Sequence, residues 1–218
     1  MRRSYQQFCP VACALDVIGD RWSLLILREL TTTPRRFVDL ERALVGIGPN
    51  LLTVRIDELT AAGLIEQRPV LDSKRSTYAL TELGAGTDSF LLPLARWGLP
   101  LLARADSSTA DVGLLPLAIR SMVRHEELDA HRLIARLDLD VGSFRLHVMP
   151  AGPSGRRRPF HERISVAPTP GEGDVHAVMT GSVRSLIGMT SAADLDYRGE
   201  SRHIARLRRA LGLGPVHR

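Results

Sequence analysis

The sequence predicts an α+β fold in two parts: a helical module ending in a hairpin, then an antiparallel sheet covered by helices. Three observations predict it. Leu52, Ile56 and Leu59 recur at helical spacing between an opening Gly48-Pro49 and a closing Gly63. Two short strand-like runs, 64–70 and 76–80, follow that helix at once. Beyond residue 130 the apolar period changes from 3.6 to two, as in 133–139 and 143–149.

The first module reads as follows. Residues 16–30 form helix around a Gly19-Asp20 break, with Val17, Leu24, Leu25, Leu27 and Leu30 apolar. Pro34-Arg35-Arg36-Phe37 opens a second helix that buries Phe37, Leu40 and Leu44. The helix from Pro49 follows: proline suits a first helical position, and Gly63 suits the stop. Its Asn50, Thr53 and Arg55 lie off the apolar stripe, where a helix in a DNA major groove needs hydrogen-bonding side chains. Residues 71–75 turn the hairpin and carry Lys74 and Arg75 at the tip, suited to phosphate contact. Arg35 and Arg36, at the start of the preceding helix, are further phosphate candidates. Helices followed by a hairpin in this order make a winged helix-turn-helix. Residues 81–104 are largely apolar, with Phe90, Leu94, Trp97 and Leu101, and Pro93 and Pro100 are expected to kink or divide them. So small a module offers this region no partner, which points to its copy in a second subunit.

A polar stretch at 106–112 is the expected linker, giving domains 1–105 and 113–218. After it come a helix at 114–124, candidate strands at 133–139, 143–149, 161–167 and 174–180, a helix at 181–189, a short strand at 195–198 and a last helix at 201–211. Ile119, Val123, Phe144, Leu146, Val148, Val178, Leu186 and Ile187 are the candidate walls of an apolar pocket between sheet and helices. The plainer reading of such alternation is a filled core.

Composition narrows the classes. The 218 residues carry a net charge of +5, spread evenly over both halves. Charge alone therefore does not select the DNA-binding half. No apolar run approaches the ~18 residues of a membrane span, and the start of the chain lacks the apolar segment of a secretory leader. A cytoplasmic protein with its two cysteines reduced is expected. Cys9 and Cys13, four residues apart, share a helix face and are candidate thiol sensors, with Cys9 at the helix start; buried, unreactive cysteine is the plainer alternative. No nucleophile–base spacing, phosphate loop or metal-ligand cluster is evident, so neither catalysis nor a metal or cofactor is expected. His147 and His176 are isolated on candidate strands.

Several stretches resemble the HxlR-type transcriptional regulators, relatives of MarR: Cys9-Pro10-Val11-Ala12, Leu15–Trp22 with its Gly19-Asp20-Arg21-Trp22, Leu25–Leu30, Arg35-Arg36-Phe37, the 48–64 run, Leu80–Gly84 and Ala95-Arg96-Trp97-Gly98. The resemblance covers about residues 8–104. It implies a dimer on duplex DNA with a roughly palindromic operator, acting as repressor or activator; some members are thiol sensors with a cysteine near Cys9. Residues 113–213 resemble, on less distinctive motifs, the sterol-carrier-protein type of domain. The similarity lies in Phe144–Val148, the strand-to-helix step over 177–187, and 195–200 followed by a helix. That resemblance implies an apolar tunnel and a hydrophobic small-molecule ligand. The alternative function is a lipid or small-molecule binder whose winged helix serves only protein interaction.

Overall fold

The computed structural model describes residues 4–70, 75–104, 112–124, 132–150, 163–169, 173–188 and 192–214. The chain divides into two compact units between Leu91 and Leu92. It is α+β, as the two apolar periods predict.

The first unit opens with α1 (Pro10–Ile18) and α2 (Ser23–Leu30). Gly19 lies between them, and a Cβ there would overlap the Leu15 carbonyl oxygen, so the position suits glycine. Asp20 then caps α2 from outside: its Oδ1 accepts the N–H groups of Trp22 at 2.7 Å and Ser23 at 3.1 Å. The Ser23 hydroxyl hydrogen-bonds the other carboxylate oxygen. Helix α3 (Phe37–Ala43) and helix α4 (Pro49–Ala61) follow. Gly48 precedes α4 in extended conformation and Pro49 takes its first turn, as expected. At the far end Gly63 adopts φ +71 and Leu64 donates its N–H back to Leu59 at 3.0 Å, a Schellman-type stop. Strands β1 (Ile65–Pro69) and β2 (Ser76–Leu80) pair antiparallel, with Ile65 opposite Leu80 and Pro69 opposite Ser76.

One core holds this unit. Trp22, Ile26, Leu27 and Leu30 of the α2 region meet Leu40 and Leu44, Leu52, Ile56 and Leu59 of α4, and Leu64 and Ile65. Burying one such leucine is worth roughly 1.5–3 kcal/mol. Arg35 ties the wing to the helices. Its backbone N–H donates to Tyr78 at 3.0 Å and its carbonyl accepts from Tyr78 at 2.7 Å.

Helix α5 (Glu82–Ala85) is capped by the Thr81 hydroxyl, which accepts from Gly84 N–H at 3.0 Å. Helix α6 (Asp88–Gly98) runs through Pro93 without dividing, and Pro100 lies in the 3-10 turn Leu99–Arg104 that follows. Pro93 stands in the second turn, where its missing N–H removes the bond to the Ser89 carbonyl.

In the second unit, α7 (Leu115–Met122) leads to a sheet with strand order β5-β4-β3-β6-β7. The strands are β3 (Leu133–Leu139), β4 (Gly142–Val148), β5 (Ile164–Pro168), β6 (Ala177–Gly181) and β7 (Asp196–Gly199). Helix α8 (Val183–Leu186) follows β6, and α9 (Ser201–Ala210) follows β7. The β3–β6 pair is parallel, so the sheet is mixed and not antiparallel throughout. The reason is topological: β3, β4 and β5 fill one side by consecutive antiparallel pairing, and β6 returns to the open edge of β3.

The division at Leu91/Leu92 falls before the polar stretch 106–112 that the sequence suggests as linker, most of which lies outside the described residues. The physical reason is visible in Arg96 and Leu99. Arg96 donates from Nε to the Ser121 carbonyl at 2.6 Å and from Nη2 to that of Val123 at 2.8 Å, closing the end of α7. Leu99 packs against the core of the sheet unit.

Candidate functional site: the α4 face and the wing

Helix α4 separates two faces. Leu52, Ile56 and Leu59 are buried, while Asn50, Leu51, Thr53, Val54, Asp57, Thr60 and Ala61 are exposed. The Thr53 hydroxyl donates to the Pro49 carbonyl at 3.0 Å, which turns its methyl and oxygen around the helix surface.

Arg55 does not join that exposed face. Its Nη1 donates to Glu58 Oε2 at 2.5 Å, and its Nε lies 3.2 Å from Asp20 Oδ1 as an ion pair without hydrogen-bond alignment. The side chain is 22% exposed. In the structure Arg55 clasps α4 to the turn that starts α2. Asp20 feels opposing influences. Burial raises its pKa, but the Ser23 hydroxyl, the Trp22 and Ser23 N–H groups and the Arg55 charge outweigh that and hold it below the usual carboxylate value.

The other basic candidates are likewise engaged. Arg35 Nη2 lies 3.4 Å from Oε2 of Glu29, whose side chain is 2% exposed, and Arg28 binds the other oxygen of the same carboxylate at 2.8 Å. Arg35 thus compensates a buried charge. Arg36 forks onto Asp39, Nε to Oδ2 at 2.8 Å and Nη2 to Oδ1 at 3.0 Å. The Arg36 hydrogen bonds lower the Asp39 pKa and raise that of Arg36. Arg36 stays at the surface, where such pairs are weak and exchangeable. Arg75 is exposed beside the wing; Lys74 lies outside the described residues. Arg21, over the Trp22 ring at 5.2 Å, and Arg42, at the end of α3, are exposed cations that the sequence reading passed over.

Val54 and Asp57 were also missed, although the signal was present. At about 100° per residue, Asn50, Thr53, Val54 and Asp57 fall within an arc of about 100°, whereas Arg55 lies about 40° from Leu59. A helical wheel alone places Arg55 on the flank of the buried stripe.

Cys9 stands at the N-cap of α1 and is half-buried. Cys13 is exposed, with its Sγ 3.9 Å from the Gln7 carbonyl oxygen. Among the described residues no group of three or more His, Cys, Asp or Glu is arranged to hold a metal ion. No helix among them is long and apolar enough to cross a membrane.

The proposed pocket residues of the second unit form part of one core. Ile119, Val123, Phe144, Leu146, Val148 and Leu186 are buried together with Met179, Leu195, Leu207 and Leu211, and Ile187 packs against them. Val178 is corrected: it pairs with Arg136 and Arg198 on the opposite sheet face, and Ala177 and Met179 point inward. Choosing the wrong member of an alternating run moves a side chain to the other face. His147 lies on that outer face too, where burial, then Arg132 and Arg145, lower its pKa. His176 accepts the Ile134 N–H on its Nδ1 at 3.0 Å and stacks on His203.

A short helix with one buried and one polar face, placed between helices and a hairpin, defines a winged helix-turn-helix protein. The family model described as HxlR-like helix-turn-helix matches residues 17–106. An uncharacterized HTH-type transcriptional regulator of Mycobacterium tuberculosis is 39% identical over 97 residues, 44% of this chain and 61% of its own. The chain thus spans about three-fifths of the length of that relative. YybR of Bacillus subtilis, likewise an uncharacterized HTH-type transcriptional regulator, is 30% identical over 41% of this chain and 73% of its own. A solved structure described as a possible HxlR family transcriptional factor of Thermoplasma volcanium is 31% identical, with a TM-score of 0.39, covering 44% of this chain and 87% of that one. The chain belongs to the HxlR-like helix-turn-helix family.

Proposed function

We propose that the chain is a DNA-binding transcriptional regulator that engages a roughly palindromic operator as a homodimer. The carrying observation is α4, which buries Leu52, Ile56 and Leu59 and leaves Asn50, Thr53, Val54 and Asp57 outward. Its setting between α3 and a hairpin is the geometry of a major-groove reader. Relatives named as HTH-type transcriptional regulators support the reading. Arg36 and the wing residues Lys74 and Arg75 serve as phosphate contacts in this reading.

Two exposed apolar stripes support the dimer. Phe8, Val11 and Leu15 line α1 and its start, and Phe90, Leu94, Trp97 and Leu101 line α6 and the turn after it. Exposed apolar stripes of this kind mark association surfaces. The sheet unit gathers Phe144 and Leu207 into one core, and an apolar small molecule held between its sheet and helices, as the sterol-carrier resemblance implies, modulates DNA binding in this reading.

Fluorescence anisotropy with duplexes from the chain's own promoter tests the function, with light scattering for mass. A dimer with salt-dependent, sequence-selective binding is expected. A monomer at micromolar concentration that binds no duplex at low salt would refute it.

A further inference from the structure

We infer that operator specificity resides in Asn50, Val54 and Asp57, and that Arg55 is a positioning residue that seats the reading helix. The inference rests on the DNA-binding reading and deepens it. It names the chemistry of the site that α4 would read: A·T pairs recognised at adenine edges and thymine methyls, with one cytosine amino group taken by a carboxylate.

Three observations carry it. The outward arc of α4 holds Asn50, Thr53, Val54 and Asp57, all exposed, with Val54 48% exposed. An exposed valine there presents two methyl groups, the complement of a thymine C5-methyl. Asn50, in the first turn, carries the donor–acceptor pair that matches adenine N7 and N6.

Asp57 is the most informative residue. A carboxylate on a surface that approaches phosphates is repelled by them and gains only where a base edge offers a donor. In the major groove the cytosine N4 amino group and the adenine N6 amino group are the base donors, and a carboxylate favours cytosine. Asp57 therefore acts chiefly against wrong sequences: opposite the acceptors of guanine or the O4 of thymine it meets repulsion without compensation.

Arg55 would be the usual choice for reading guanine, through a bidentate contact. Here both ends of its guanidinium face carboxylates, Glu58 at 2.5 Å and Asp20 at 3.2 Å. Asp20 in turn holds the first N–H groups of α2. Turning Arg55 toward a base would break its pairs with Glu58 and Asp20 and release the clasp between α4 and α2. Arg55 consequently controls how α4 is seated, which affects all sequences alike.

The test is selection of duplexes from a randomised pool by the full-length chain, comparing wild type with V54A, D57A, D57N and R55K. Val54 and Asp57 are exposed, so their replacements leave folding intact, and circular dichroism checks this for each variant. The expected result is loss of one cytosine preference in D57A and D57N, with discrimination falling about tenfold. Loss of one thymine preference is expected in V54A. R55K should select the same sequence as wild type with weaker binding throughout. The proposal is overturned if R55K changes the selected bases, or if the Val54 and Asp57 variants select the wild-type sequence. If wild type enriches no duplex, DNA binding itself fails; a selected site with unchanged Asp57 dependence removes only this assignment.

Discussion

The two units of the chain use their apolar residues in opposite ways. In α4 burial of one stripe leaves a second face with nothing inside the unit to do, and that face is the candidate site. In the sheet unit, every inward residue of β3 and β4 finds a place in one cluster with α7, α8 and α9. The difference teaches that alternation describes what a sheet needs for itself, whereas the polar remainder of a short, well-anchored helix describes what it offers to others.

The comparison breaks most readily in the sheet unit. Phe144→Ala should cost about 3–5 kcal/mol in urea unfolding if its ring fills a packed core. A loss below about 1 kcal/mol would show that Phe144 lines open space, and would favour the ligand reading. Next in size, Leu52→Ala in α4 should cost about 2–5 kcal/mol, while Asn50→Ala, two residues earlier on the outward face, should stay within about 0.5 kcal/mol. Equal losses for the two would erase the distinction between the faces of α4.

Asp20→Asn sharpens the comparison within the first unit. Weakening the cap and the clasp to Arg55 should cost about 1 kcal/mol at neutral pH. Asp20 has a folded pKa below its ordinary 3.8, so its contribution is full above that value and is lost as pH falls through the folded pKa. Unfolding curves of wild type and Asp20→Asn should therefore converge only in strong acid; a gap that closes near pH 6 would contradict the assignment. Smallest of all, Val178→Ala on the outer sheet face should shift stability by about 0.5 kcal/mol or less. A loss matching that of a buried valine such as Val148 would reverse the facing of β6.

The winged helix was legible in the sequence because its signals are local. Pro49 and Gly63 bracket α4, and both behave as their backbone chemistry dictates. The sheet's alternation was equally legible, but its pairing was not: the parallel β3–β6 contact joins residues some forty positions apart and has no local signature. The Val178 error has the same origin, since the face of β6 is fixed by register against β3. At the site, residue type alone did not say where a side chain points. Arginine suggested DNA, yet Asp20 lies 35 positions before Arg55 and only the fold brings them to 3.2 Å. The angular position of Arg55 beside Leu59 was available from the start and was the better guide.

Arg96 has a consequence for the way such a two-unit chain can be cut or recombined. It sits in a helix that begins in the first unit, yet its guanidinium satisfies the terminal carbonyls of α7 in the second. A fragment begun at the polar stretch near residue 112 would strip those carbonyls of their donors and remove Leu99 from the core. A cut that keeps each unit whole therefore has to fall inside α6 and not in the polar stretch.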